Sequence, residues 1–350
     1  MLSLESREWG QFFIEDLCEI YSGVRLIKAD MKDGDIPFIG ATDSNNGITQ
    51  FISNRNSSYR SGVLGVNYNG SVVENFYHPY LAVFSDDVKQ LKIRGEQQSK
   101  YVYLFLKTAI LQQKSKYAYG YKFNAKRMKR QLVMLPIKND EPDWQFMEDY
   151  IKEREQLLIN QYREHIQREV DILEDSLRGG GSSLAELEWK EFRLVDFFDT
   201  KKGIEKNMQS LACGTLPLIS ARKFDNGLKG FVEVPKNRIR EGHAITLNND
   251  GDGGAGLAYY QPSRFALDTH VTELRPKVGI NQKAMLFVAS VLSKQHKVFG
   301  HGRSINAGRL NTIRIMLPSD EAGNPAWEFM SKYIEANELK LLKRCLAYLG

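Results

Sequence analysis

The chain is poor in cysteine: Cys18, Cys213 and Cys345 stand far apart and odd in number. That pattern argues against a disulfide framework and predicts reduced thiols in a cytoplasmic protein. No Cys-x-x-Cys spacing suggests zinc. The histidines (His78, His165, His243, His270, His296, His301) include no pair at metal-binding spacing on a recognisable helix. No apolar run approaches the roughly 20 residues a membrane helix needs, so no membrane partner is expected. The opening MLSLESREWGQFF lacks the basic-then-apolar pattern of a signal peptide. Catalytic signatures are missing too. There is no Gly-x-Ser-x-Gly elbow, no Gly-Lys-Ser/Thr phosphate loop, no Asn-Pro-Pro-Tyr methyltransferase motif and no glycine motif of an S-adenosylmethionine site.

What is present is a chain long enough for two domains: 350 residues, 42% hydrophobic and 26% charged, with a mildly basic net charge of +5. It is written twice, at an offset of about 180 residues. EWGQFFIEDLCEIYSG (8–23) answers to EWKEFRLVDFFDTKKG (188–203), and IPFIGATDSNNGITQF (36–51) to LPLISARKFDNGLKGF (216–231). After a slip of two or three residues, YGYKFNAKRMKRQLVMLP (119–136) matches HGRSINAGRLNTIRIMLP (301–318), and EPDWQFMEDYI (141–151) matches NPAWEFMSKYI (324–334). The tryptophans pair as Trp9 with Trp189 and Trp144 with Trp327. The period is too long for a solenoid and implies two copies of one domain, each followed by its own helix.

Within a copy, a helix-like segment is expected over Phe12–Tyr21 (Phe192–Thr200). Short strands follow, with hairpin turns at Asn46-Gly47, Asn69-Gly70 and Asn226-Gly227. Helices are expected near 98–115 and 281–297, then a strand ending in Leu-Pro. This mixture without βαβ alternation predicts an α+β fold. Trp144 to about Arg178 contains no Pro or Gly, and Ile159, Ile166, Val170, Leu173 and Leu177 form a heptad-like seam, with Met147, Ile151 and Leu158 adding apolar positions earlier. The seam favours pairing with the shorter helix from about Trp327 to Leu349 as an antiparallel coiled-coil spacer. The expected boundaries are 1–142 for the first domain, 143–178 for the central helix, 179–187 for a Gly/Ser linker, 188–325 for the second domain and 326–350 for the last helix.

Two segments point to chemistry. KSKYAYGYKFNAKRMKR (114–130) has seven basic residues and no acid, interleaved with Tyr117, Tyr119, Tyr121 and Phe123. Its counterpart KQHKVFGHGRSINAGRLNTIR (294–314) has five basic residues and again no acid. Basic side chains neutralise phosphates, while Asn, Arg and aromatic groups reach base edges or stack. The candidates for DNA contact are Lys116, Lys122, Asn124, Lys126, Arg127, Arg222, Lys223, Arg303, Ser304, Asn306 and Arg309. Asn124 and Asn306 fit a helix-capping role equally well, and both readings stand at this point. Lys122 is set against Arg303 as a pair that two copies reading different sequences would vary. The run NNDGDGGAG (248–256) invites a phosphate-cradle reading, but it falls opposite NYNGSVVEN (67–75), which has one glycine and no phosphate-loop pattern. A turn between strands is the simpler expectation.

The duplicated order of EWKEFRLVDFF, LNNDGDGGAGLAYYQPSRFALDTHVTELRP, FGHGRSINAGRLNTIRIMLP and the Trp-Gln-Phe or Trp-Glu-Phe helix entries resembles the specificity (S) subunits of type I restriction–modification systems over nearly the whole chain. DWQFMEDYI and AWEFMSKYI are most similar to the BcgI-like type IIB group, whose partner is a fused nuclease–methyltransferase. The resemblance implies two target-recognition domains, each reading half of a bipartite site in double-stranded DNA. It implies helices that set the gap and dock methyltransferase or fused restriction–modification subunits. It places S-adenosylmethionine and Mg2+ on those partners, with no cofactor, metal or catalytic residue on this chain. The rival readings are a DNA methyltransferase or nuclease active by itself with unrecognised motifs, and a scaffold or carbohydrate-binding repeat protein.

Overall fold

The computed structural model describes residues 2–117, 120–178, 184, 187–206, 210–251, 254–300 and 302–349. The chain divides into two compact units, 1–162 and 163–350. In the first, strand β1 (Trp9–Phe13), the single turn α1 (Ile14–Leu17) and β2 (Cys18–Ser22) lead into β3 (Asp33–Ile39), β4 (Ile48–Ile52), β5 (Val63–Asn67), β6 (Asn75–His78), β7 (Val83–Phe84) and β8 (Val88–Ile93). Helices α2 (Lys100–Leu111) and α3 (Ala125–Lys129) and strands β9 (Leu132–Lys138) and β10 (Glu141–Pro142) follow, then the long helix α4 (Trp144–Ser176), whose residues from 163 onward belong to the second unit.

The second copy repeats this order except for β10, in whose place Ser319 and Pro325 form an isolated bridge. It has β11 (Trp189–Arg193), α5 (Leu194–Phe197), β12 (Phe198–Lys202), β13 (Ala212–Ile219), β14 (Leu228–Glu233), β15 (Ala244–Asn248), β16 (Ala258–Gln261), β17 (Ala266–Leu267), β18 (Val271–Pro276), α6 (Gln282–Lys294), α7 (Ala307–Leu310), β19 (Arg314–Pro318) and α8 (Trp327–Leu349). The fold class is α+β, as expected.

The duplication extends to strand pairing. The sheet β2-β8-β5-β6 has its counterpart in β12-β18-β15-β16, and β4-β3-β7 in β14-β13-β17. The ribbon β1–β9 runs in register from Trp9↔Pro136 to Phe13↔Leu132, and β11–β19 from Trp189↔Pro318 to Arg193↔Arg314. One expectation is corrected here. Phe12–Tyr21 and Phe192–Thr200 are strand, one helical turn, then strand. The apolar spacing around Ile14 and Leu17 fits a helix, but ladders with β9 and β8 satisfy the backbone on either side and leave a single turn between.

Each core forms where the four-stranded sheet meets its helix. Leu64, Val66, Leu91, Leu106, Ile110 and Val133 are sealed in the first unit, and Ile245, Leu247, Leu274, Val288, Leu292 and Ile315 in the second. Ser99 and Asn281 cap α2 and α6 by accepting from Val102 and Ala284 N–H groups, which fixes where each helix starts.

Helix α4 starts on a cap as well: Asp143 Oδ1 accepts from the Phe146 N–H at 3.0 Å. Within the second unit, the end of α4 lies against α8. Ile166, Val170 and Leu173, three of the expected seam positions, are buried along this stretch of α4. Ser176 Oγ donates to Glu335 at 2.9 Å, Lys343 pairs with Glu174 at 2.6 Å, and Arg163 donates to the Leu349 carbonyl at 2.6 Å. Residues that rise along one helix meet residues that fall along the other, so this pairing is antiparallel. Leu158, counted among the apolar positions, is 67% exposed. At 3.6 residues per turn it lies about 100° around the helix from the neighbouring seam residue Ile159. The expected linker at 179–187 lies outside the described residues except for Leu184 and Leu187. Among the described residues, no helix is long and apolar enough to cross a membrane.

Candidate nucleic-acid interface

In each copy three loops are tied together. The β3–β4 turn is held by left-handed backbone at Asn45, Asn46 and Gly47, and its counterpart by Asp225, Asn226 and Gly227. Asn and Gly tolerate positive φ, which is why these short turns close here. The turn is bound to the next loop, β5–β6, through Asn67 Nδ2 donating to the Thr42 carbonyl at 2.9 Å. In the second copy Asn248 Nδ2 donates to the Arg222 carbonyl at 3.1 Å, and Tyr259 Oη to the Lys223 carbonyl at 2.8 Å. The basic segment joins them. Lys114 pairs with Glu74 at 2.5 Å in the first copy, and the Ile305 N–H donates to the Asn249 carbonyl at 2.7 Å in the second. The Glu74 carboxylate holds the Lys114 ammonium above its ordinary pKa.

The glycine-rich run is the β15–β16 turn, as expected, with Asp252 and Gly253 outside the described residues. Its last glycine serves close packing. A Cβ on Gly256 (φ +82°) would sit 2.7 Å from the Phe299 ring and 2.9 Å from His296 Cα. Gly256 donates its N–H to the Asn248 carbonyl as Val73 donates to Asn67 in the first copy, and Val73 shares the positive φ.

The candidate residues divide by how firmly they are held. Asn124 Oδ1 accepts from the Arg127 N–H at 3.0 Å, and Asn306 Oδ1 from Arg309 at 2.9 Å. Of the two readings left open, capping is what the geometry gives both oxygens. The arginines reach back: Arg127 Nη1 donates to the Lys122 carbonyl at 2.7 Å, and Arg309 Nη1 to the Ser304 carbonyl at 2.6 Å. Asn and Arg together brace one loop shape in both copies. Arg222 is similarly engaged, with Asp225 at 3.1 Å and the Leu228 carbonyl at 2.5 Å. Lys116 donates to Gln113 at 2.6 Å and is exposed. Lys126, Lys223 and Arg303 are exposed, and their charged groups have no partner among the described residues. Ser304 is half-buried.

The shared caps fix the alignment, and it corrects one expected pair. Lys122 stands opposite Ser304, and Tyr121 opposite Arg303. The aromatic interleaving is corrected in part. Phe123 is fully buried, like its counterpart Ile305. Tyr117 is half-buried, and its hydroxyl donates to Gln131 Oε1 at 2.6 Å. These rings seat the loop on the core. Tyr119 and His301 lie outside the described residues. Tyr121 is exposed, with the Arg127 guanidinium 3.7 Å from its ring centre. Together with Tyr117, Asn124, Lys126 and Arg130, this pair lines an open polar cleft of about 500 Å³.

Sequence reasoning missed Phe224. It lies at the second β3–β4-type turn, beside Lys223, and is 70% exposed. The signal was in the repeat, which puts Ser44 in the equivalent place.

The chain is therefore a tandem protein of two homologous α+β domains, each with a braced loop cluster and a following helix. It belongs to the type I restriction modification DNA specificity domain family, whose model matches residues 6–164 and 186–344. It is similar to the type II restriction enzyme specificity subunit S.BcgI of Heyndrickxia coagulans, with 61% identity over 163 residues. The match covers 46% of this chain and 48% of that one, so it spans about half the length of the relative. The fold is similar to that of the S subunit of a type I restriction–modification system from M. genitalium, with a TM-score of 0.53, 14% identity, and coverage of 99% of this chain and 95% of that one.

Proposed function

We propose that this chain is the DNA sequence-specificity subunit of a restriction–modification complex. Each loop cluster reads one half of a bipartite site in double-stranded DNA. The observation that carries the reading is the recurrence of one braced, basic loop cluster in both copies, on a chain of this family. The shared residues Asn124/Asn306 and Arg127/Arg309 hold the scaffold. The residues that differ between copies, Lys122 and Tyr121 against Ser304 and Arg303, supply contacts that differ between half-sites. Exposed Lys126, Lys223 and Arg303 are suited to phosphates or base edges because their charged groups have no partner among the described residues to give up first.

Helices α4 and α8 set the gap between half-sites and dock methyltransferase or fused restriction–modification subunits. Base flipping, methyl transfer and cleavage belong to those partners, which bind S-adenosylmethionine and Mg2+. The chain by itself is not an enzyme, and it acts in the cytoplasm.

The test is reconstitution. The purified chain alone should neither methylate nor cut DNA. Added to its modification subunits, it should decide which sites they methylate. Methyl transfer by the chain alone, or site choice unchanged when this chain is replaced by another specificity subunit, overturns the proposal.

A further inference from the structure

We infer that Phe224 stacks on a base of the half-site read by the second domain, an inference that rests on the function proposed above. An exposed phenylalanine alone is unremarkable on a protein surface. What sets this one apart is its mounting. The backbone on both sides is pinned. The Lys223 carbonyl accepts from Tyr259 Oη at 2.8 Å, and the Gly227 N–H donates to the Phe224 carbonyl at 3.1 Å. The next residues, Asp225, Asn226 and Gly227, are locked in left-handed backbone. Asn226 Nδ2 donates to the Tyr260 carbonyl at 3.0 Å, and Arg222 spans the turn to Asp225 at 3.1 Å.

This much hydrogen bonding holds up a ring that is largely exposed. Phe224 is 70% exposed and has no aromatic or cationic partner on its faces among the described residues. A ring in that setting adds little to folding. Two cations stand by it, Lys223 adjacent and Arg303 on the loop joined through Asn249 and Ile305, while the neighbouring Asp225 is paired with Arg222. A rigidly presented aromatic ring beside unpaired positive charge fits insertion at a base step of the duplex, where the ring covers a partly unstacked base while the cations meet phosphate.

The first copy supports the assignment by contrast. It has Ser44 at the equivalent position, and its exposed ring comes from Tyr121 in the basic segment, where the second copy has Arg303. Each described loop cluster thus offers an exposed ring, but from a different loop: Tyr121 on the basic segment in the first copy and Phe224 on the turn in the second. Copies that share a frame but read different bases would vary at these positions.

The experiment uses the complex assembled with its modification subunits, and duplexes carrying 2-aminopurine at successive positions of the second half-site. Base stacking predicts that Phe224→Ala lowers affinity by about 5- to 150-fold. It also predicts that the fluorescence change at one position, present in wild type, is lost. Phe224→Tyr should keep both. Because the side chain is exposed, the melting temperature of Phe224→Ala should match wild type. Affinity within twofold of wild type and an unchanged fluorescence profile in Phe224→Ala would overturn the inference. So would a loss in Phe224→Tyr equal to that in Phe224→Ala. If the wild-type complex recognises no second half-site at all, the functional proposal itself fails; if it does and Phe224→Ala is indifferent, only the inference fails.

Discussion

Replacing Arg303 by Ala separates charge from architecture in the second loop cluster. The guanidinium is exposed and has no internal partner among the described residues, so its removal should change folding stability by no more than about 0.5 kcal/mol. Its loss should appear in binding. If Arg303 meets a phosphate, the slope of log K against log salt falls by about 0.9. If it meets a base edge, discrimination at one position falls by about 1–3 kcal/mol, or 5- to 150-fold. Arg309→Ala removes the same charge but also the 2.6 Å hydrogen bond to the Ser304 carbonyl. At an exposed site that bond contributes about 1 kcal/mol, so melting of the second unit should fall by about 2–4 °C. The assay is a salt titration of the assembled complex on two duplexes, each keeping one half-site and scrambling the other, with melting followed in parallel. Arg303→Ala should weaken only the duplex that keeps the second half-site and should melt like wild type. Equal loss on both duplexes, or a melting drop matching Arg309→Ala, would refute the reasoning.

Acid should weaken the first unit more than the second. Burial holds the His78 imidazole down at about 4, and Gln261 takes its place on β16. The unfolded chain binds that proton below about 6.5 while the folded one stays neutral, so stability falls as pH drops from about 6.5 to 4, by up to about 3 kcal/mol. His78→Gln should flatten this dependence in denaturant melts across that range, and parallel curves for the two proteins would sink the claim. Gly256→Ala forces a Cβ against Phe299 at positive φ, and should destabilise the second unit by about 1–3 kcal/mol in thermal melts while leaving first-half-site binding intact. Deleting seven residues from the α4 seam keeps its heptad phase but shortens the helix by about 10 Å. Methylation mapping should then show a spacer shorter by about three base pairs between unchanged half-sites, and altered half-sites would contradict the spacer role.

Much of the architecture was legible because local chemistry and tertiary structure agreed. Asn46-Gly47 and Asn226-Gly227 demand positive φ, and they turn where hairpins were expected. Helices α4 and α8 begin at their tryptophans and run without an internal Pro or Gly. Legibility failed where partners far along the chain decide the outcome. Phe12–Tyr21 satisfies a helical period, but β9 and β8 draw its ends into ladders. In the basic segment, Phe123 looked like a stacking group because composition cannot say which ring faces the core. The repeat could have said so, since Ile305 replaces it. Asn124 and Arg127 suggested DNA contact by type, and what the structure adds is that both brace their own loop. Phe224 escaped notice because its meaning lies in exposure and a pinned backbone, neither of which a sequence displays.

The central claim is that two loop clusters on one chain each specify half of a DNA site. Genome-wide mapping of methylated bases, in cells carrying this chain with its modification subunits and in cells where Arg303→Ala replaces it, tests that claim most directly. A bipartite motif with a fixed gap, relaxed in one half only by the substitution, is the predicted result. A single contiguous motif, or methylation that does not depend on this chain, would contradict it.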